Sequence, residues 1–326
     1  MKALVTGANG FIGSHLVHTL ADRGWDVSCL VRKTSRLESL DRSSVRLVIG
    51  EIRDKESLRA AVRGQDVVFH LAGIITPPDR NSCFDINTTG TLNLIDACLE
   101  ENPGLRKFVH VSSIAACGPS PPGTILREED ECRPISDYGR SKRDAEILVL
   151  ERGDRLAVTI IRPPNVVGPR QKELSDSIKL IRKRILPLIG TGGPQTSLAA
   201  VEDIVAALIL AAERPESRGQ IYFVTDGRAH SWREIPRTII EALGMRGFFL
   251  KVPYGIQYAV AGAAEALARL RGRTPVLSRM MVTSARRHCW IYDGSKIERE
   301  LGFRPSTDVS ESVRRAVALA KKKGRP

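Results

Sequence analysis

A tyrosine and a lysine lie four residues apart in a stretch whose pattern predicts a helix, at Tyr138 and Lys142. Residues at i and i+4 share one face of a helix, so the phenol and the amine are neighbours. A phenol with a pKa of about 10 is a poor base at neutral pH. A neighbouring ammonium favours the phenolate, and the pair therefore predicts a tyrosine that transfers protons.

Two serines add hydroxyl groups to this chemistry. Ser112 and Ser113 directly follow the apolar run Phe108–Val111, which predicts a strand. Open α/β sheets bind ligands at the carboxyl ends of their strands, and both hydroxyls are expected at that edge. The tyrosine and lysine spacing alone is common on surface helices. Together with serines at a strand end, it predicts a catalytic group.

A glycine-rich loop separates the first predicted strand from the first predicted helix, with glycines at Gly7, Gly10 and Gly13. Glycine allows a tight turn and lets the backbone approach a pyrophosphate, which the free amides of the helix start, including Phe11 and Ile12, would bind. The spacing is one residue wider than G-x-G-x-x-G. Because a strand precedes it and a helix follows it, we interpret it as a dinucleotide loop rather than a plain turn.

The end of the second predicted strand indicates which dinucleotide is bound. Val27–Val31 is followed by Arg32 and Lys33, then by Arg36, and no acidic residue occurs before Glu38. An acidic residue here would hold the ribose hydroxyls of NAD, whereas a guanidinium suits a 2′-phosphate. NADP is therefore favoured over NAD. The alternative is that Arg32 is a solvated loop charge.

The elements that must position these groups alternate along the first half of the chain. Strands rich in Val, Ile and Leu alternate with amphipathic helices, which predicts right-handed βαβ crossovers and a parallel sheet covered on both faces. The predicted strands are Lys2–Val5, Val27–Val31, Val45–Ile49, Val67–Leu71, Phe108–Val111 and Val158–Ile161, and the helices are Ile12–Arg23, Glu56–Val62, Thr88–Glu101 and Tyr138–Glu151.

After residue 170 the alternation stops. Residues 171–196 are basic and interrupted by Gly and Pro, and residues 248–288 are expected to be irregular and partly apolar. Within the latter, 252–270 fits either a core helix or the lining of an apolar pocket. The remaining predicted elements are the helices Asp203–Glu213, Ile235–Leu243 and Val309–Lys321 and the strand Ile221–Thr225.

The expected fold class is α/β, with a doubly wound parallel sheet and a smaller lobe. The nucleotide domain is predicted over residues 1–170, with 200–228 returning to it, and the substrate lobe over 171–199 and 229–326. At 326 residues and 42% hydrophobic content, the chain is long enough for a large core.

Charge, cysteine content and apolar runs limit the possible partners, cellular setting and metal binding of the chain. The formal charge is 50 − 37 = +13, but the basic residues are not interleaved with aromatics, which make up 5% of the chain. We therefore expect no nucleic-acid partner. The six cysteines form no C-x-x-C pair, which favours a reducing, cytoplasmic setting and no metal. No signal peptide and no apolar span of about 20 residues is recognised, so no transmembrane segment is expected.

These motifs together resemble the extended short-chain dehydrogenase/reductases of the NAD-dependent epimerase/dehydratase family. The resemblance runs nearly end to end and is closest to the branch of dihydroflavonol reductases and 3β-hydroxysteroid dehydrogenases. It also rests on four further segments, Glu51–Asp54, His70–Gly73, Asn87–Thr91 and Arg162–Pro169. The resemblance implies a Rossmann domain and an NAD(P)-dependent oxidoreductase.

The resemblance also implies roles for individual residues. Tyr138 would exchange the alcohol proton, Lys142 would bind the nicotinamide ribose and lower the tyrosine pKa, and Ser113 would orient the substrate oxygen. Asn87 would have a structural or proton-relaying role. The implied cofactor contacts are Gly7, Gly10, Phe11, Ile12, Gly13, Arg32, Lys33, Glu51, Ile52, Leu71, Ala72, Gly73, Asn87, Tyr138, Lys142, Pro163, Asn165 and Val166.

The chain departs from the family pattern at Cys117, where a tyrosine is usual before the glycine that ends the serine segment. A small, apolar, buried and unreactive thiol is the expected role of this residue.

Substrate class is open between two branches of the family. Arg32 and the segment Trp290–Asp293 resemble the reductases, which act on apolar ketones and alcohols, whereas Arg286 and Arg287 fall near the place where sugar enzymes bind a diphosphate. Hydride transfer to a secondary alcohol or ketone, with NADP favoured and NAD possible, is therefore expected. A nucleotide-sugar epimerase or dehydratase is the alternative, followed by a non-catalytic NADP-binding regulator. A homodimer through Thr88–Glu101 and the helix of Tyr138 is a further family expectation.

Overall fold

A computed structural model of the chain describes residues 1–75, 79–182, 194–245, 253–270, 279, 282–283 and 288–323. Its strands in those ranges are β1 (Lys2–Thr6), β2 (Asp26–Val31), β3 (Arg46–Ile49), β4 (Val67–His70), β5 (Lys107–Val111), β6 (Val158–Arg162), β7 (Asn165–Val167), β8 (Gln195–Thr196), β9 (Leu198–Ala200), β10 (Ile221–Phe223) and β11 (His230–Ser231).

The α-helices in the same ranges alternate with the early strands and dominate the second half. They are α1 (Phe11–Asp22), α2 (Lys55–Val62), α3 (Arg80–Phe84), α4 (Gly90–Glu101), α5 (Asp137–Leu150), α6 (Lys172–Arg182), α7 (Val201–Glu213), α8 (Glu234–Leu243), α9 (Tyr254–Leu270), α10 (Ser295–Leu301) and α11 (Val309–Lys323).

The central sheet has seven parallel strands in the order β10-β6-β5-β4-β1-β2-β3. Strand β1 pairs with β2 on one side and with β4 on the other, so the strand order reverses there. The register aligns Thr6 with His70 and His70 with His110, which brings the carboxyl ends of three neighbouring strands to one edge. The predicted doubly wound sheet is confirmed, and ligands bind at such a reversal in open α/β sheets.

Helices cover both faces of this sheet, which is why its strands are almost continuously apolar. On one face, α1 and α7 contribute Leu16 and Val205 to a buried cluster that includes Phe69. On the other face, Leu94 of α4 and Val149 of α5 pack in a second buried cluster. The sheet is therefore a rigid platform for the groups at its edge.

A third apolar cluster lies outside the sheet, where α6, α8 and α11 pack together through Ile178, Ile239 and Val313. No helix or strand is predicted within residues 171–196, but α6 forms there because Leu174, Ile178 and Ile181 recur at helical spacing and are buried. The basic side chains of α6 lie on its other faces and obscured this period in the sequence.

Tyr254–Leu270 is a helix, which agrees with the helical alternative for 252–270, whereas the expectation of irregular structure over 248–288 is wrong there. The exposure of its side chains is not that of an ordinary core helix. Ile256 and Val260 are more than half exposed, whereas Ala261 is fully buried. Across the described ranges, no helix is both long and apolar enough to span a bilayer.

Candidate active site

The glycine loop between β1 and α1 is packed so closely that side chains do not fit. Gly7 has φ 67°, and a Cβ there would lie 2.8 Å from the backbone nitrogen of Ala72. A Cβ on Gly13 would lie 2.2 Å from the carbonyl oxygen of Gly7. The loop therefore holds the start of α1 against the end of β4, and only glycine permits both contacts.

Helix α1 begins without a side-chain cap among the described residues, since its N-cap is Gly10. The first N–H groups of a helix have no partner within the helix, and the helix dipole favours an anion beside them. The amides of Phe11 and Ile12 are in this first turn. A pyrophosphate fits this donor set and the glycine cradle, so the residues present fit a dinucleotide.

The basic residues after β2 lie beside the same loop. Arg32 and Lys33 are exposed, and Arg32 has no salt bridge to another residue of the described ranges. The segment that follows returns to the glycine loop, where the Asn9 side-chain amide donates to the Arg36 carbonyl oxygen at 3.1 Å. Positive charge is thus placed next to the loop that fits a pyrophosphate.

The other predicted cofactor residues follow the ends of neighbouring strands. Ile52 is buried after β3, whereas the carboxylate of Glu51 is bonded to the guanidinium of Arg53. The Ala72 amide donates to the Thr6 hydroxyl at 3.1 Å. The residues that follow β4 and β6 are Leu71 and Gly73, and Pro163, Asn165 and Val166.

Asn87 lies in a π-helical turn, Asp85–Thr89, between α3 and α4. Its side-chain carbonyl accepts from the Ile74 amide at 2.8 Å, and its Nδ2 donates to the Ile74 carbonyl at 3.0 Å and to the Ser141 hydroxyl at 3.0 Å. Asn87 therefore ties the segment after β4 to α5. π-turns inside helices are frequent at functional sites.

The three predicted catalytic residues meet at the carboxyl edge of β5. Ser113 caps the short 3₁₀ turn Ile114–Ala116 that follows the strand, and its hydroxyl lies close enough to the phenol of Tyr138, at the start of α5, to lower the pKa of that phenol. One helical turn further on, Lys142 Nζ donates to the carbonyl oxygen of Val111 at 2.6 Å. The arrangement puts two hydroxyls and an ammonium together at the edge that binds ligands.

The electrostatics of this group differ from the expectation that Lys142 lowers the pKa of Tyr138. Burial raises the pKa of Tyr138 to about 12, and the hydrogen bond with Ser113 acts in the opposite direction. Burial also lowers the pKa of Lys142 to about 8. The physical reason is that the ammonium is directed at the Val111 carbonyl, so desolvation of the phenol dominates its titration.

A buried ion pair fixes α5 against β6. Arg162, the last residue of β6, donates Nε and Nη2 to the two carboxylate oxygens of Glu146 at 2.8 and 2.7 Å. Glu146 follows Lys142 by one helical turn and also accepts from Arg143 at 3.1 Å. Breaking one side of such a pair costs about 3–5 kcal/mol, so this contact sets where α5 presents its tyrosine.

Tyr292 is a second support for the Ser113 turn. Its hydroxyl donates to the carbonyl oxygen of Gly118, and its ring lies 4.7 Å from that of Phe223. In the sequence, Trp290–Asp293 stands out only through its resemblance to the family. The contact spans so much sequence that no local spacing rule reveals it.

Two further expectations concern a diphosphate and a metal ion. Arg286 and Arg287, the candidate diphosphate ligands, lie outside the described residues. Among the residues that are described, no cluster of three or more His, Cys, Asp or Glu side chains is arranged to hold a metal ion.

The parallel sheet, the glycine loop and the serine–tyrosine–lysine group define a dinucleotide-dependent enzyme of the extended short-chain dehydrogenase/reductase type. A family model agrees: residues 3–224 match the NAD dependent epimerase/dehydratase family. The chain belongs to this family, which confirms the predicted relationship and enzyme class.

Individual relatives come from both branches of the family. Sterol demethylase protein B of Methylococcus capsulatus is 31% identical over 99% of each chain. The 4-hydroxy-2-methyl-3-oxo-4-farnesyl-3,4-dihydroquinoline-1-oxide ketoreductase of Stigmatella aurantiaca is 29% identical over 93% of this chain and 92% of its own. The structure of Thermus thermophilus UDP-glucose 4-epimerase with NAD has a TM-score of 0.79 and 27% identity, covering 98% and 99% of the two chains.

The packing of the glycine loop predicts that Gly13→Ala weakens binding of the reduced dinucleotide about tenfold or more, because the new Cβ displaces the Gly7 carbonyl. Fluorescence titration with NADH and with NADPH measures this effect. Gly255→Ala is the control, since a Cβ there meets no atom within 4 Å. Unchanged affinity in Gly13→Ala would show that the loop does not hold the dinucleotide.

Proposed function

We propose that the chain is an NADP-dependent oxidoreductase that interconverts a secondary alcohol and a ketone. The observation that carries this proposal is the meeting of Ser113, Tyr138 and Lys142 at the carboxyl edge of β5, beside the glycine loop. When bound, the nicotinamide supplies the hydride chemistry at its C4.

The residues of the chain then handle the proton and the substrate oxygen. In the direction of reduction, the Tyr138 hydroxyl donates its proton to the carbonyl oxygen as that oxygen gains negative charge. A phenol with a raised pKa keeps this proton at neutral pH. The Ser113 hydroxyl, which lies near the phenol, orients the same oxygen. Lys142 supplies positive charge below the phenol and would bind the nicotinamide ribose.

The buried pair of Arg162 and Glu146 keeps these groups in register by holding α5 on β6. Pre-organisation of this kind lowers the barrier because the reacting groups need little rearrangement. Pro163 and Val166, which follow β6, would line the nicotinamide, and Leu71 to Gly73 would line the other side of the dinucleotide.

An apolar substrate is supported by the relatives. Two of them are named for a sterol and for a farnesylated quinoline oxide, at 31% and 29% identity. A nucleotide sugar is the second candidate, because the epimerase structure shares the fold over nearly the whole chain. The two substrate classes differ in whether the cofactor is consumed. Reduction of a ketone oxidises NADPH, whereas an epimerase regenerates its dinucleotide within each turnover.

A substrate panel with a Tyr138→Phe variant tests the proposal. We expect apolar cyclic ketones to oxidise NADPH and UDP-sugars not to be epimerised. Removing the phenolic proton donor should lower kcat by about a hundredfold or more while NADPH still binds. Tyr258→Phe, at a partly exposed position of α9, is the matched control.

Each outcome of this panel separates the candidates. Full turnover by Tyr138→Phe would overturn the catalytic assignment. Epimerisation of a UDP-sugar without net NADPH oxidation would establish the second candidate instead.

We also propose that Arg32 selects NADP through its 2′-phosphate. Support comes from its exposed position beside the glycine loop and the lack of a salt bridge within the described ranges. A hydrogen bond to a charged group contributes about 1.5–3 kcal/mol. Arg32→Asp should therefore weaken NADPH binding about tenfold to a hundredfold and leave NADH binding equal or tighter.

Isothermal titration with both dinucleotides measures this selectivity. Arg42→Asp, an equal charge change at another exposed position before β3, is the control. A preference for NADPH that survives in Arg32→Asp would show that another group recognises the phosphate.

We propose, further, that two copies pair through α4 and α5. Support comes from the outer face of α5, where Ile147 is 41% exposed although the helix is otherwise well packed. In a dimer with two-fold symmetry, this same face of each copy would meet the other.

Ile147→Glu should convert the dimer to a monomer, because the interface would bury an unpaired charge. Sedimentation velocity measures the change. Ile256→Glu, at a position of α9 that is 54% exposed, should leave the dimer intact. A monomeric wild-type protein would rule out this interface.

A further inference from the structure

Two cysteines lie side by side next to the candidate catalytic turn. Cys117 is 1% exposed, and Cys132 is partly exposed and packs against the buried cluster that contains Cys117. Their backbones also touch, since the Arg133 amide donates to the Cys117 carbonyl oxygen at 2.6 Å. A Cβ on Gly118 would lie 2.1 Å from the Arg133 carbonyl oxygen. Backbones this close are compatible with the roughly 4.4–6.8 Å between Cα atoms that a disulfide spans.

The charges around this pair favour an anion on one sulfur. Arg162 Nη2 lies 3.4 Å from Cys132 Sγ. The same guanidinium is paired with buried Glu146, which also accepts from Arg143. One carboxylate therefore faces two guanidinium groups, and a thiolate on Cys132 would neutralise the excess positive charge.

The titration of the two thiols agrees with this geometry. The neighbouring Cys117 thiol, together with Arg162 and Arg143, outweighs burial and lowers the pKa of Cys132 to about 6. The neighbouring Cys132 sulfur and burial raise the pKa of Cys117. At neutral pH one thiol of the pair is therefore a nucleophile, and the other is a protonated thiol beside it.

We propose that Cys132 and Cys117 are an oxidation site for hydroperoxides, and that the disulfide they form reversibly inactivates the neighbouring catalytic group. The Cys132 thiolate attacks a peroxide oxygen, so an S–O bond forms and the O–O bond breaks. Sulfur is oxidised to a sulfenic acid, and the departing hydroxide takes up a proton. Cys117 sulfur then displaces hydroxide from Cys132, and its own proton leaves with that hydroxide as water. With hydrogen peroxide, two thiols and one peroxide give one disulfide and two water molecules.

The disulfide is expected to inactivate the enzyme because Cys117 belongs to the turn that holds Ser113 and packs on α5. Cys117 ends the turn that Ser113 caps, and its amide donates to the Ile114 carbonyl at 3.0 Å. The same turn presses on α5, since a Cβ on Gly139 would lie 2.3 Å from the Ala115 carbonyl oxygen. Closing the sulfurs to about 2.05 Å pulls on this turn and shifts Ser113 against Tyr138.

Peroxide treatment of the reduced full-length protein tests the site. We expect the count of free thiols to fall by two, and peptide mass spectrometry to find Cys117 joined to Cys132. A dithiol should reverse both changes. Iodoacetamide labelling of Cys132 should reach half its maximal rate near pH 6, rather than at the value of about 8.5 of an ordinary cysteine. None of these readouts depends on turnover.

Serine variants distinguish the role of Cys132, which attacks the peroxide, from that of Cys117, which closes the disulfide. Cys132→Ser should lose the disulfide, and Cys117→Ser should stop at a sulfenic acid on Cys132 that dimedone traps. Cys289→Ser removes another partly exposed thiol and should behave like wild type. Peroxide oxidation that never joins Cys117 to Cys132 would overturn the site.

The switch itself is tested by NADPH-dependent turnover, and this arm rests on the proposed function. We expect oxidation to lower turnover at least tenfold in the wild type and the Cys289→Ser variant, with recovery on reduction, and to leave Cys132→Ser active. A fully formed disulfide with unchanged turnover would overturn the switch. If the wild type turned over no ketone even when reduced, the proposed function would fail while the disulfide result still stood.

Discussion

The buried ion pair between Arg162 and Glu146 is the contact on which the active-site region depends. It joins the last residue of β6 to the middle of α5, so it positions both the helix of Tyr138 and the segment that continues into Pro163. Arg162 is also stacked 5.3 Å from the centre of the Phe223 ring on β10. Two charges taken out of water are stable only when they are paired, and the two hydrogen bonds from Arg162 to Glu146 make the placement of both residues specific.

The strand reversal at β1 places the glycine loop at the same edge of the sheet as this ion pair. Because all seven strands are parallel, the loops after β1, β4, β5 and β6 emerge at one edge. The close packing of Gly7 and Gly13 then holds α1 with its free amides facing that edge. A dinucleotide loop and a proton-transferring group thus adjoin because of sheet topology, although more than a hundred residues separate them in the chain.

The second half of the chain adds a separate apolar core and a support for the candidate active site. Residues of the sheet domain carry chemistry that reductases and epimerases share, and identities of 27–31% span both groups. The cluster of α6, α8 and α11 forms a separate apolar core, and Tyr292 from the C-terminal part supports the Ser113 turn. Cys117 stands where the family usually has tyrosine. With Cys132 beside it, the turn carries the thiol pair that we propose is oxidised to a disulfide.

The sequence alone determined what depends on local spacing. Residue periodicity defined the alternating strands and helices, and the spacing of Tyr138 and Lys142 put them on one helix face. Only the tertiary structure decided the contacts between distant segments, namely Arg162 with Glu146, Tyr292 with Gly118 and Cys132 with Cys117. It also decided that burial raises the pKa of Tyr138, because desolvation depends on everything packed around a group and not on its neighbours in the chain.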